Sequence, residues 1–361
     1  MRLGGRLIGL FSFDVGYEID LDRARTLTDE GDIGAIARRR AAPVHLRYAV
    51  PPLRVPLGTR GVTLGDTVVD ATASAVIHEF GAVTIVLQAP LACDVAALPP
   101  LTATLTGAGP LEDAARVLVE ELGTRIRPAV TRPFLNEFVE DYYIVQIGHC
   151  DPPTSIPELL ETARGPLASA LRCEAVPLSD TEVDDVFRTR VSYYPDDLVV
   201  TEWNVALVVD TDFADTVSIL EYLNVQLLEL RFYDALLDRR LADTHAPDAA
   251  RPSGLPFRYR RYRRAIEDLA AIRVDVATIV ERVHNALKLS GDLYLAKIYT
   301  RTAERLALRA WEESVAQKLD VLQQRYDVLV QRMATARSEA LEATIIVLIV
   351  LELVVLLAGW G

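Results

Sequence analysis

Five arginines fall within seven residues of a chain whose formal net charge is −13. Arg258, Arg260, Arg261, Arg263 and Arg264 are interleaved with Tyr259 and Tyr262. Guanidinium groups beside phenol rings suit contact with RNA or another polyanion, the bases stacking on tyrosine. On a helix, five arginines cover most of the circumference, so some must pair with acidic neighbours such as Glu267 and Asp268 or with another subunit. Three uses are open: salt bridging within or between chains, which we prefer, polyanion binding, and contact with lipid headgroups. The acidic balance of the whole chain disfavours nonspecific nucleic-acid binding by its body, and no DNA partner is expected.

The second chemically pointed residue is Glu352. It interrupts the apolar run ATIIVLIVLELVVLLAGW, residues 343–360. A carboxyl group there is either protonated and tolerated or hydrogen-bonded across a helix bundle. Elsewhere the signals are weak. His149, Cys150 and Asp151 are adjacent in sequence, so their side chains diverge and make a poor ligand set. Asp196, Asp197 and Glu202 could hold a cation, but a solvated turn is the simpler reading. Tyr193, Tyr194 and Trp203 read as packing residues. The other histidines, His45, His78, His245 and His284, are scattered and read as structural. No phosphate-binding loop, dinucleotide fingerprint, HExxH or GxSxG occurs. Cys93, Cys150 and Cys173 form neither a disulfide framework nor a zinc pattern. We therefore expect no catalytic residues, no metal and no cofactor.

The elements that would carry these residues follow from periodicity. The 361 residues are half hydrophobic, enough for a substantial core. Residues 1–211 alternate short apolar runs with helical stretches, which predicts an α+β cytoplasmic domain. Strands are expected at 6–13, 72–78, 82–88, 141–148, 191–194, 198–203 and 205–209. Helices are expected at 20–27, 111–126, 156–171 and 182–187. Strand, helix, hairpin and helix occur twice, over 6–127 and 141–242, which suggests an internal pseudo-repeat. Ordinary α+β alternation explains the order equally. Residues 212–246 read as a packing helix and 247–257 as a loop rich in Pro and Gly. Residues 258–342 read as an antiparallel helical hairpin and coiled-coil stalk, turning at Ser290-Gly291-Asp292.

Leu319, Leu322, Tyr326, Leu329 and Met333 recur in alternating steps of three and four, a coiled-coil seam. The lower stalk, residues 322–340, has no predicted partner within the chain, so the seam implies another copy of the chain. Eighteen helical residues at 343–360 extend about 27 Å, close to the ~30 Å bilayer core. This predicts one C-terminal transmembrane helix. Arg325, Arg332 and Arg337 precede it and no basic residue follows, which places the rest of the chain in the cytoplasm. The start of the chain, broken by Arg6 and Asp14, reads as a strand and not a signal peptide. Only three of the 38 basic residues are lysine, in keeping with a GC-rich bacterial genome.

The stretch 287–357, with Arg337, Leu341-Glu342 and Glu352 at the matching places, resembles the C-terminal region of the "required for meiotic nuclear division" family. AVIHEFGAVTIVLQ (75–88), SYYPDDLVVTEWNVALVVD (192–210) and LEYLNVQLLELRFYDALLD (220–238) look like its bacterial relatives. The resemblance implies an oligomeric, membrane-anchored protein with no established catalytic site.

These readings converge on a tail-anchored, self-associating, non-catalytic scaffold at the bacterial cytoplasmic membrane, tethering a partner complex. Its expected contacts are its own copies, the bilayer through 343–360, and a protein or RNA through 258–264. The alternative is a membrane-tethered RNA- or ribosome-binding or nucleotide-handling protein that uses the basic cluster and the α+β domain.

Overall fold

The computed structural model describes residues 1–28, 32–33, 46–48, 50–65, 67–107, 109–243, 287–289 and 293–358, with isolated helical positions 267, 270 and 274. The arginine cluster at 258–264 and the turn at 290–292 lie outside the described residues. The chain divides into two compact units, one of residues 1–232 and 281–311, the other of 233–280 and 312–361.

The first unit opens with β1 (Arg2–Asp14), β2 (Glu18–Ile19) and α1 (Leu21–Thr28), then β3 (Asp32–Ile33) and β4 (Leu46–Tyr48). A meander of β5 (Leu53–Leu64), β6 (Thr67–Ile77) and β7 (Ala82–Asp94) leads to α2 (Leu98–Ala103) and α3 (Pro110–Ile126). After β8 (Val130–Thr131) come β9 (Val139–Asp151), α4 (Ile156–Leu171), α5 (Asp180–Val186), β10 (Leu198–Thr201) and β11 (Val205–Val209). The long helix α6 (Ala214–Asp243) begins in this unit, which closes with β12 (Leu287–Leu289) and α7 (Leu293–Arg305). The last helix, α8, is Leu308–Ala358.

Eight strands form one sheet in the order β10-β11-β9-β1-β7-β6-β5-β3. The first strand of the chain is thus central, antiparallel to both β7 and β9. Its sequence, RLGGRLIGLFSFD, is apolar on both faces over most of its length, as a strand covered on both sides requires. Leu7, Phe11 and Phe13 face one core with Leu118 and Leu122 of α3 and Leu167 of α4. The alternate residues, Ser12 among them, face α6. The turn between β6 and β7 requires glycine: Gly81 has φ +101°, and a Cβ there would sit 1.8 Å from the Gly16 carbonyl oxygen.

The expected α+β domain is present, with two arms of unlike sense: β1 pairs antiparallel with β7, whereas β9 pairs parallel with β11. Three expectations for the C-terminal part are corrected. Residues 287–289, read as helix, form a strand that pairs antiparallel with β4, whose open backbone edge takes a partner. The helix expected to run unbroken from 293 to 358 is interrupted at Leu306-Ala307, where Ala307 adopts φ +50° and both Leu306 and Leu308 turn into the core.

The third correction removes the transmembrane anchor. Among the described residues no helix is long and apolar enough to cross a membrane. The apolar part of α8 whose side chains are described, residues 343–355, includes Glu352. A carboxyl group inside such a stretch costs about 2.5–3.5 kcal/mol to insert. In the second unit, Lys318 ties the first turns of α8 to the end of α6 through Asp234 (2.7 Å) and Asp238 (2.7 Å).

Candidate functional site

The middle of α6 is buried on every side from Ile219 to Leu230, although it carries Glu221, Asn224, Gln226 and Glu229. Such polar groups require partners, and most of those named here lie on the sheet. The side-chain amide of Asn224 donates to Ser12 Oγ (3.0 Å) and to the Glu140 backbone carbonyl (2.9 Å). Thr84 donates its hydroxyl proton to Glu221 Oε1 at 2.6 Å. It must therefore accept from Ser12, 2.9 Å away. His78 Nε2 meets the same Glu221 oxygen at 2.9 Å. Donors from β7 and the end of β6 thus converge on one carboxylate, and Ser12 of β1 donates to the first of them. Burial pushes that carboxyl up, but the charge and hydrogen bond of His78, the Thr84 hydroxyl and nearby Arg54 outweigh it, so Glu221 is held below its ordinary range.

Nearer the end of β1 the balance reverses. Asp14 and Glu229 are both almost fully buried. Burial pushes Asp14 up to about 7, opposed by a hydrogen bond from the Gly16 N–H. Burial, with the neighbouring Asp14 charge, raises Glu229 well above the ordinary glutamate range. Glu140 pairs with Arg231 at 2.7 Å, yet burial pushes its carboxyl up to about 7 as well. Two adjacent buried acids of this kind hold a proton at neutral pH.

A second ionic cluster ties α7 to the sheet edge. Arg305 pairs with Glu202 and, at 3.0 Å, with Asp185; Arg172 reaches the same Asp185 oxygen at 2.8 Å and Glu182 at 3.2 Å. Glu202 is therefore part of a salt-bridge network and does not join Asp196 and Asp197. Asp197 closes its own turn by accepting the backbone N–H groups of Tyr193 (2.6 Å) and Tyr194 (2.9 Å). Among the described residues no group of three or more His, Cys, Asp and Glu side chains is placed to hold a metal ion. Cys93 and Cys150 flank Leu3 on opposite neighbouring strands, two strand spacings apart, or about 10 Å, too far for a disulfide. Tyr193, Tyr194 and Trp203, read as packing residues, are each close to half exposed.

On α8, Leu322 is buried within the chain, and Leu319 and Tyr326 are half-buried; the side chains of Leu329 and Met333 lie outside the described residues. Leu322 therefore has cover inside the chain, unlike the open seam expected there. Glu352 is exposed. Around it Ile345, Ile346, Val347, Leu348, Ile349, Val350, Leu351, Leu353, Val354 and Val355 are each more than half exposed. This is the largest described apolar surface without cover.

Sequence reading missed the polar row on α6. The signal was available: Glu221, Asn224, Gln226 and Glu229 interrupt an otherwise apolar stretch of α6. It was hidden because their partners, Ser12, His78 and Thr84, are more than 100 residues away.

No solved structure matches the chain. A similar curated protein is "Uncharacterized protein MJ0711" of Methanocaldococcus jannaschii, 23% identical over 243 residues, which are 67% of this chain and 73% of that protein. A family profile described as "Uncharacterized protein MJ0711, N-terminal domain" matches residues 4–216, from the central strand to the first turn of α6. The match covers the eight-stranded sheet and helices α1 to α5 of the first unit, and the chain belongs to the MJ0711 N-terminal domain family.

Proposed function

We propose that the protein is a self-associating, non-catalytic scaffold in which α8 joins copies of the chain and the α+β unit is the body they present. The observation that supports this reading is the apolar surface of α8. Leu348 is 60% exposed and Val355 63%. Contiguous apolar surface of this kind is costly in water and marks an interaction site. A second copy of the chain supplies a helix of matching length and character. The non-catalytic part rests on how the buried carboxyl groups are used: Glu221, Glu202 and Glu140 are each paired, with His78, Arg305 and Arg231.

Light scattering across a concentration series tests it. The native chain should show a mass above that of the 39.9 kDa monomer. Replacing Ile345 and Leu348 together by Asp places two carboxylates in the contact and should weaken association by at least about 3 kcal/mol. An unchanged mass for that variant overturns the reading. So does a native chain that is monomeric in buffer and floats with phosphatidylcholine vesicles.

A further inference from the structure

Self-association through α8 leaves the direction of pairing open, and the charge pattern of the helix settles it. At 100° per residue, Arg337, Leu341, Ile345, Leu348 and Glu352 lie within an arc of about 80° on one side of α8. All five are exposed. Glu352 is the sole charged residue between Glu342 and the end of the helix. The stripe thus carries a cation at one end, a carboxylate at the other, and three large apolar side chains between them.

We infer that two copies of the chain pair antiparallel through this stripe, with Arg337 of each copy against Glu352 of the other. The inference rests on the self-association proposed above and gives it a geometry. A two-fold axis between Thr344 and Ile345 brings Arg337 opposite Glu352, Leu341 opposite Leu348, and Ala334 opposite Val355. The numbering is symmetric about that point, so every contact occurs twice, as an isologous dimer requires. The charged ends stand 15 residues apart, about 22 Å along the axis. Parallel pairing sets Arg337 beside Arg337 and Glu352 beside Glu352, two like-charge contacts at the same surface. Apolar contact alone does not distinguish the two directions; the charges do. This assigns Glu352 a role that an apolar residue at its position could not fill.

Charge reversal separates the alternatives. In the antiparallel pair, Arg337→Glu converts both attractive contacts into repulsive ones, and Glu352→Arg does the same. Each single variant of the full-length chain should dimerise roughly tenfold more weakly at about 0.05 M salt, a gap that narrows as salt screens the contact. The double variant Arg337→Glu with Glu352→Arg restores both pairs and should recover native affinity within about twofold. In a parallel pair the single reversals exchange one like-charge contact for another and change little. Association that is unmoved by the single reversals, or a double variant weaker than either single, overturns the antiparallel arrangement while self-association stands. A native chain that is monomeric at every concentration removes both. All of these substitutions fall on exposed side chains, and circular dichroism confirms that each variant keeps the native fold.

Discussion

Replacing Asp14 by Asn should stabilise the protein at pH 8 by about 3 kcal/mol relative to the native chain, and by little near pH 4. The carboxyl of Asp14 rises from an ordinary 3.8 to about 7 because it is buried, with Gly16 as its donor and the buried Glu229 nearby. The folded state therefore holds a proton that the unfolded state releases. A raised acid contributes fully below its unfolded value, and that contribution is lost as pH climbs from about 4 to about 7. At 1.36 kcal/mol per pH unit the whole shift amounts to roughly 4 kcal/mol. Asn keeps an acceptor for the Gly16 N–H and carries no charge, which accounts for most of that sum. Urea midpoints of both proteins at pH 4.5, 6 and 8 measure the difference. A gap between them that does not change with pH excludes proton uptake by Asp14 on folding.

The opposite result is expected at the other end of the polar row. Glu221→Leu should lower stability by about 3–5 kcal/mol at pH 7. It leaves the His78 ring nitrogen and the Thr84 hydroxyl facing a hydrocarbon side chain inside the protein. Against a typical total of 5–15 kcal/mol, that is a large share. Adding His78→Leu should recover part of the loss, since an apolar pair no longer strands an unpaired polar group. Unfolding in urea followed by tryptophan fluorescence and by circular dichroism gives the values. A loss under about 1 kcal/mol for the single variant removes the row's part in holding α6 to the sheet.

Local pattern carried much of the first unit. Helix α4 begins at Ile156 and ends at Leu171 as the spacing implied, because Ser155 and Glu158 form a capping box around its first turn. Helix α3 differs from its expected start by one residue, with Pro110 in its first turn. The hairpin around Glu79, Phe80 and Gly81 was legible, since Gly81 sits at its turn. Strand β5 was not, because Pro56, Gly58 and Gly61 break its apolar alternation, and only pairing with β6 holds it. The strand expected at 191–194 reduces to a single bridge between Val191 and Val199. The candidate site was less legible than the fold. The apolar stripe of α8 is plain in sequence, but its hydropathy alone pointed to a lipid phase. The buried acids required knowing which strand lies beneath α6, a long-range fact that no window of residues contains.

The place of β1 at the centre of the sheet has a consequence for the growing chain. Arg2–Asp14 is synthesised before both of its partners, Ala82–Asp94 and Val139–Asp151, which follow some 70 and 125 residues later. At ~5–20 residues per second, both edges of an apolar strand wait for several seconds. During that interval neighbouring nascent chains on one messenger offer the same unpaired edges, and strand-to-strand coalescence between them competes with folding. Slowing elongation between the codons for Asp14 and Ala82 should therefore lower the soluble yield.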